Sequence, residues 1–303
     1  MEAAGIVFKQ IMTMFLYMLA GFLLVKTKKL SEQGSRDLAT MLIWLVIPAT
    51  LINSFCTVCS PEKLLALAQS AFLAALALGL AMLIARLIFR RSPIDEFAAT
   101  YSNAGFIGIP LVTASLGSEA VFYTVGIITL MNVLQWTIGV QRLTGRRGAF
   151  SVKSLLLSPV VIAGLIGLAL FVTGLGANLP TVLSGALKGL AALNAPLAMM
   201  VLGAYFARVD VGAMFRSGRL YLLSAVRLLL IPLLTVVAFR LTGLPQTMRM
   251  AVLISASAPV GVNVAVYAQL HDLDYAYASE TVVLSTLLSV VFQPLVLMLA
   301  AGL

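Results

Sequence analysis

Two apolar segments carry the residues best suited to binding a substrate, because each combines an amide side chain with glycine and proline. The first segment, 97–116, contains the run Asn103–Pro110, and the second, 250–270, contains the run Pro259–Asn263. Proline removes a backbone donor and clashes one turn back, and glycine is a poor helix former. Both helices are therefore predicted to break here, and the freed N–H groups and amides are donors suited to a carboxylate.

Each of these segments is apolar over enough residues to cross a bilayer, so its irregular backbone must be kept away from lipid. Unpaired backbone groups are costly in lipid and survive only inside protein or beside a wet cavity. Two interrupted membrane helices, one in each half of a chain, are typical of the substrate site of a secondary transporter.

The predicted breaks favour an anion over a cation. The second half of the first helix is expected to begin near Pro110 and that of the second near Gly261, so two half-helix N-termini should approach one point, each carrying about +0.5 charge. Half-helix C-termini meet there too and could coordinate a cation, so the dipoles alone do not decide. A cation carrier is expected to place a carboxylate at mid-span. The acids that flank the spans lie instead at span ends or in loops: Asp37, Asp95, Glu96, Asp210, Asp272, Asp274 and Glu280.

We predict a substrate site made from both breaks and the last span. Its residues are Asn103, Gly108, Ile109, Pro110, Pro259, Val260, Gly261, Asn263 and Gln293. Asn103 and Asn263 have a simpler alternative role, which is to satisfy the broken backbone. Gln293 precedes Pro294, where the helix is expected to kink.

Composition indicates that lipid surrounds most of the chain. Hydrophobic residues make up 61% and charged residues 10% of the sequence, and the mean hydropathy is +1.06; a soluble domain is roughly 25% charged. The net charge of +9 does not indicate a nucleic-acid partner, because the basic residues cluster in short loops. The acidic start is unlike a cleavable signal peptide, so the first apolar run is expected to remain as a helix.

The length allows about ten spans of about 20 residues each. We place them at 6–25, 38–56, 64–88, 97–116, 120–141, 154–174, 180–204, 219–241, 248–270 and 277–300. Fourteen Lys and Arg residues fall in one set of alternate loops and five in the other. Because basic loops face the cytoplasm, both termini are predicted to lie outside.

Proline spacing relates the two halves of the chain. Pro48 and Pro110 are 62 residues apart, and Pro196 and Pro259 are 63 apart, in the second and fourth spans of each half. Five spans per half give the second half the opposite orientation, which predicts an inverted repeat. The predicted halves are 1–148 and 149–303.

The run Asn103–Leu111, the Ala258-Pro259 break and the run Ser285–Ser289 resemble the auxin efflux carrier family, within the superfamily of bile-acid, arsenite and riboflavin-type transporters. The resemblance covers nearly the whole chain. It implies export of small organic anions: auxin in plants, and carboxylates such as malate or malonate in bacterial members. The short connection near 142–153 resembles a compact bacterial member rather than a plant carrier with a long central loop.

The resemblance also implies an architecture and a location. Spans 1, 2, 6 and 7 would form a scaffold, and spans 3–5 and 8–10 a transport domain in which broken helices 4 and 9 cross. Alternating access would follow from an elevator movement of that domain. The resemblance further implies a homodimer in the bilayer of the bacterial inner membrane.

Other functions have less support in the sequence. It contains one His and neither a Gly-x-Ser-x-Gly nor a His-Glu-x-x-His motif, so we predict no enzyme, no metal and no cofactor. A sodium- or proton-coupled symporter of the same fold is the nearer alternative, and an anion channel the more distant one. Arg227, inside span 8, is expected to reach the cytoplasmic face by snorkelling, with a role in charge pairing as the alternative. His271 is expected to be solvated at a span end, with a proton-relay role as the alternative.

Overall fold

The computed structural model describes residues 2–145, 157–209 and 211–302 of the 303-residue chain. Its principal helices are α1 (Glu2–Lys26), α2 (Glu32–Phe55), α3 (Pro61–Phe89), α4 (Pro93–Thr100), α5 (Ala104–Leu116), α6 (Ser118–Thr144), α7 (Pro159–Val172), α8 (Thr181–Phe206), α9 (Gly218–Arg240), α10 (Gln246–Ala256), α11 (Asn263–Leu270) and α12 (Tyr275–Gly302). Short helices Leu175–Asn178 and Val211–Arg216 lie in connections. These ranges contain no β-strand, which confirms an all-helical fold.

Six of the described helices are long and apolar enough to cross a membrane: α2, α3, α6, α8, α9 and the Tyr275–Ala300 part of α12. Shorter apolar helices are Met12–Lys26, α5 and α7. The predicted spans 4 and 9 each appear as two helices, α4 with α5 and α10 with α11. The predicted start of span 6 and the boundary between the halves lie outside the described residues.

Proline widens three helices without ending them. A π-helical turn in α2, α5 and α9 finishes two residues before Pro48, Pro110 and Pro232 respectively. Proline offers no N–H and clashes with the carbonyl four residues earlier, so the preceding turn enlarges to accommodate it. The chain then continues as an α-helix in all three cases.

Glycines bring α1 and α8 into backbone contact. A Cβ on Gly21 would lie 2.0 Å from the Met200 carbonyl oxygen, and one on Gly203 would lie 1.8 Å from that of Met18. Small residues allow membrane helices to pack this closely. α2 packs on α7 and α8 beside this pair.

A second set of helices surrounds the two interruptions. α3 packs on α4, α6, α9 and α10, while α12 packs on α9 and α11. α10 contacts both α3 and α5, and α11 contacts α4. The interruptions therefore lie inside the protein, which is the only place where their irregular backbone is tolerated in a membrane.

Candidate functional site

The two interrupted helices meet through the extended linkers that follow α4 and α10. An antiparallel bridge between Ser102 and Val260 joins the linkers through two main-chain hydrogen bonds: Asn103 N–H donates to the Pro259 carbonyl at 2.8 Å, and Gly261 N–H donates to the Tyr101 carbonyl at 3.0 Å. Each linker thus supplies the backbone partners that the other loses by leaving the helix.

Gly261 permits the close approach of the linkers. A Cβ there would lie 2.9 Å from the Ser102 carbonyl oxygen, a distance that backbone atoms cannot relax easily. Neighbouring hydroxyls anchor the pair, since Val260 N–H donates to Ser285 Oγ at 3.1 Å and Ser102 Oγ donates to the Ser255 carbonyl at 2.8 Å. The crossing is therefore held by α10 and α12 as well as by its own pairing.

A cavity of about 170 Å³ lies beside the paired linkers. The start of α5 contributes Asn103, Gly105 and Phe106 to its wall, and the start of α11 contributes Val262 and Asn263. The first N–H groups of a helix lack intrahelical acceptors and form the positive end of its dipole. Two helix N-termini therefore face one cavity, an arrangement that favours an anion.

Two buried amide side chains have donors without acceptors: one lines this cavity, and the other is hydrogen-bonded to a residue that lines it. Asn103 is 4% exposed, and its Nδ2 has no hydrogen-bond partner among the described residues. Asn263 Nδ2 donates to Gln135 Oε1 at 2.6 Å, which leaves Nε2 of the fully buried Gln135 without a partner in the same part of the chain. Unpaired buried donors are costly, so a ligand with acceptor oxygens would stabilise this arrangement.

The rest of the cavity wall comes from α2, α6 and the start of α7. It is mainly apolar, with Ile47, Ile128 and Met131, and Asn132 adds a further amide. None of the described residues that line the cavity is charged. The local electrostatics therefore depend on helix dipoles and amides rather than on a buried Lys or Arg.

Five of the nine sequence-predicted residues lie at or beside this cavity. Asn103, Gly261 and Asn263 line it directly. Pro259 and Val260 belong to the paired linker, with the Pro259 carbonyl and the Val260 N–H already hydrogen-bonded.

The other four predicted residues do not line this cavity. Gly108 packs against Ser255, and Ile109 and Pro110 line a second, larger cavity. Gln293 is buried, and its Nε2 donates to the Ile254 carbonyl of α10 at 3.3 Å. Their predicted contact with a substrate stays a prediction.

The first interruption lies earlier in the chain than expected. The helix was expected to resume near Pro110, but α5 begins at Ala104. Pro110 lies inside α5, where the π-helical turn absorbs the missing hydrogen bond. Pairing between linkers, which has no local sequence pattern, determines where the helix stops.

A larger cavity of about 1050 Å³ lies further along α2 and α5, toward their C-terminal ends. Pro110, Lys63, Lys188 and Asn194 are among the residues that line it. Asn194 Nδ2 also donates to the carbonyl of Gly105, which lines the smaller cavity, at 3.1 Å. Asn194 therefore connects α8 to α5 between the two cavities.

Arg227 lies at the opposite ends of the half-helices and is 1% exposed. Its guanidinium donates to four carbonyl oxygens at the ends of α4 and α10: Ala99 at 3.0 Å, Thr100 at 3.2 Å, Ala258 at 3.1 Å, and Ala256. The expectation that Arg227 snorkels to the cytoplasmic face is wrong, because these carbonyls hold it inside the crossing. His271 is exposed after α11, as expected.

The buried acids Asp95 and Glu96 lie in the first turn of α4, away from the cavity, as the sequence predicts. Their partners at 2.6–3.0 Å lie on four neighbouring helices: Arg86 on α3, Arg142 on α6, Arg219 on α9 and Tyr277 on α12. Acids are also favourable at a helix N-terminus. These contacts fasten α4 to the helices that surround it.

Sequence reasoning missed two amides of the site. Gln135 on α6 orients Asn263, and Asn194 on α8 holds Gly105. Both are polar residues inside apolar spans, and that isolation is itself a functional signal in membrane helices. Their partners, by contrast, lie 128 and 89 residues away in the chain and could not be inferred from spacing.

Helices of this length, with two interrupted ones whose N-termini share a cavity, define a multi-pass membrane transport protein. A sequence model of the family described as "Membrane transport protein" matches residues 6–154 and 147–297. The chain belongs to this family, which is of the auxin efflux carrier type.

One relative adds an independent similarity. The chain is 31% identical over 211 residues to a protein of Methanothermobacter thermautotrophicus described as an uncharacterized transporter. The match spans 65% of this chain and 65% of the length of that relative.

Proposed function

We propose that the protein is a secondary transporter that exports small organic anions by alternating access. The substrate carboxylate binds in the cavity of about 170 Å³ beside the crossing. The observation that carries this proposal is Asn103 Nδ2, a buried donor without a partner among the described residues, at a cavity that two helix N-termini face. A second such donor, Gln135 Nε2, belongs to the residue that accepts from the cavity-lining Asn263. A carboxylate brings acceptor oxygens to the amides and negative charge to the dipoles.

The proposed roles differ among the residues of the site. Asn103 donates directly to the carboxylate, and Gln135 orients Asn263, which lines the cavity. Gly261 keeps the linkers close enough for both helix N-termini to reach the ligand. Pro259 and Val260 shape the linker. The remaining predicted residues lie outside this cavity and stabilise the packing of α5 and α10: Gly108, Ile109, Pro110 and Gln293.

Cavity size and polarity support a small substrate. Pockets for drug-sized ligands measure about 300–1,000 Å³, well above the volume found here. Malonate and malate suit such a space, and the apolar wall formed by Ile47, Ile128 and Met131 would contact the organic part of an auxin-like acid.

The proposed membrane arrangement has ten spans in two inverted repeats. The first repeat comprises α1 to α6 and the second α7 to α12, with the interrupted helix in fourth place in each. The two ranges of the family match meet at residues 147–154, which supports a division there. The basic loops support a cytoplasmic side that leaves both termini outside, in the inner membrane of a bacterium.

Packing supports a scaffold of α1, α2, α7 and α8 and a transport domain of the remaining helices. The backbone contact at Gly21 and Gly203 stiffens the scaffold. The partners of Asp95 and Glu96 all belong to the transport domain, which would move as one body. The two cavities on either side of the Asn194–Gly105 contact suit an elevator movement, and the scaffold would form the homodimer of this family type.

The membrane potential can drive export without a coupling ion. An inside-negative potential of about 100 mV expels a monoanion with about 2.3 kcal/mol, close to a fifty-fold gradient. A dianion gains about twice that.

Binding by the purified protein tests the proposal. Malonate is expected to raise the Tm saturably, since a ligand at about 100 times its Kd stabilises by about 2.7 kcal/mol. Malonamide, the neutral analogue of similar shape, is expected to leave Tm unchanged. Equal stabilisation by malonate and malonamide would contradict anion binding at this site. The absence of any stabilisation by malonate, malate and an auxin-like acid would contradict it as well.

Counterflow in proteoliposomes tests the transport mechanism. Trapped unlabelled malonate is expected to accelerate uptake of labelled malonate, because a carrier exposes its site alternately to the two sides. A channel would show no such stimulation.

A further inference from the structure

We propose that Arg227 is the resident cation of the crossing. It occupies the position where a coupling ion would otherwise bind, and it makes substrate binding independent of sodium. The consequence for transport rests on the proposed function, whereas the consequence for cation binding stands on the geometry alone.

The geometry around Arg227 is that of a cation site formed by backbone oxygens. Carbonyls from the end of α4 and carbonyls from the end of α10 and its linker converge on one guanidinium. Terminal carbonyls of half-helices are the groups that coordinate sodium in transporters with interrupted helices. Here the three guanidinium nitrogens of a side chain from α9 engage them instead.

The charges of this arrangement balance. Each helix C-terminus carries about −0.5 charge, so two of them together match the single positive charge of Arg227. Among the described residues Arg227 forms no ion pair with an acid, and Asp95 and Glu96 pair with other arginines. The backbone is thus the counter-charge of this buried arginine, and a second cation at the same carbonyls would meet direct repulsion.

Removing the guanidinium would leave its four carbonyl oxygens unpaired inside the protein. Such groups are costly when buried, and a small monovalent cation is a ligand that satisfies several of them at once. The chain therefore contains the framework of a sodium site that its own side chain fills.

The wild-type protein gives the first test. Its affinity for malonate is expected to differ by less than about twofold between sodium chloride and choline chloride of equal ionic strength. Its Tm is expected to be the same in the two salts. A saturable sodium effect on the wild type would overturn the proposal, and this arm does not depend on whether any variant folds.

The variant Arg227→Ala gives the second test. We expect it to be less stable than the wild type in choline chloride and to regain Tm saturably with sodium. Its affinity for malonate should rise about 5- to 150-fold on sodium addition, the usual range of coupling between two sites. Arg240→Ala, at the exposed end of the same helix, is the matched control and should show no sodium response.

Charge and shape are separated by two further measurements. Arg227→Lys keeps the charge and should remain insensitive to sodium, and guanidinium at about millimolar concentration should restore Arg227→Ala where choline does not. An Arg227→Ala protein that responds to neither sodium nor guanidinium would contradict the proposal. If malonate does not bind to the wild type at all, the proposed function fails, while the Tm response of Arg227→Ala still tests the cation site.

Discussion

The two faces of the crossing differ in which backbone groups they present and in whether the protein pairs them. At the starts of α5 and α11, donors face a cavity, and Asn103 Nδ2 has no hydrogen-bond partner among the described residues. At the ends of α4 and α10, acceptors face a buried arginine that engages each of the four carbonyls. One face is left incomplete for a ligand, and the other is completed by the protein.

Under the proposed function, this difference lets one geometry select the sign of its substrate. Crossing half-helices present positive and negative dipole ends near one point, so the dipoles alone would accept either ion. Arg227 satisfies the negative ends permanently. Only the positive ends remain available, and the vacant interaction is the one that suits an anion.

Gly261→Leu should have the largest effect on the open face. A side chain there meets the Ser102 carbonyl, so the linkers separate and both helix N-termini move away from the ligand. We expect malonate binding to fall by more than about 100-fold, as measured by calorimetry. Gly79→Leu is the control, since a Cβ there meets no atom of the described residues within 4 Å.

Asn103→Ala should have the next largest effect. It removes a hydrogen bond to a charged group, about 1.5–3 kcal/mol, which lowers affinity roughly 10- to 150-fold. The variant should keep the wild-type Tm without ligand, because the lost donor has no hydrogen-bond partner among the described residues. Unchanged malonate affinity in both Asn103→Ala and Asn263→Ala would place the substrate elsewhere.

The Asn263–Gln135 pair should show coupled rather than additive effects. Gln135 acts by orienting Asn263, so the double variant with Gln135→Ala should be little worse than Asn263→Ala alone. A double-mutant cycle on the malonate Kd should give a coupling of about 0.5–3 kcal/mol. Strict additivity would mean that Gln135 does not act on the ligand through Asn263.

Pro110→Ala should have only a small effect. The linker pairing, not Pro110, ends the helix, so the variant should regularise the π-helical turn and change the malonate Kd by less than about fivefold. Gln293→Ala, whose side chain contacts α10 away from the cavity, should change it even less. A loss comparable with that of Asn103→Ala would show that the break depends on Pro110 after all.

Much of the fold was predictable, because lipid constrains sequence so strongly. Apolar length located the helices, and the combination of amide, glycine and proline located both interruptions. Three of the residues that line the cavity, Asn103, Gly261 and Asn263, were found in this way. The predicted break position near Pro110 was wrong. The π-helical turn accommodates the proline within the helix, and sequence periodicity does not reveal such a turn.

The sequence by itself determined an all-helical membrane protein, two interrupted helices and the absence of acids at their centre, since each follows from the cost of polar groups in lipid. Tertiary structure alone decided which polar groups meet. Gln135 reaches Asn263 across 128 residues of chain, and Arg227 reaches Ala99 across 128 and Ala256 across 29. Hydrogen bonds act over about 3 Å, so a partner on another helix leaves no trace in local spacing. From the sequence, Arg227 was therefore predicted to snorkel, and only the packing of the helices shows that it lies between two helix ends.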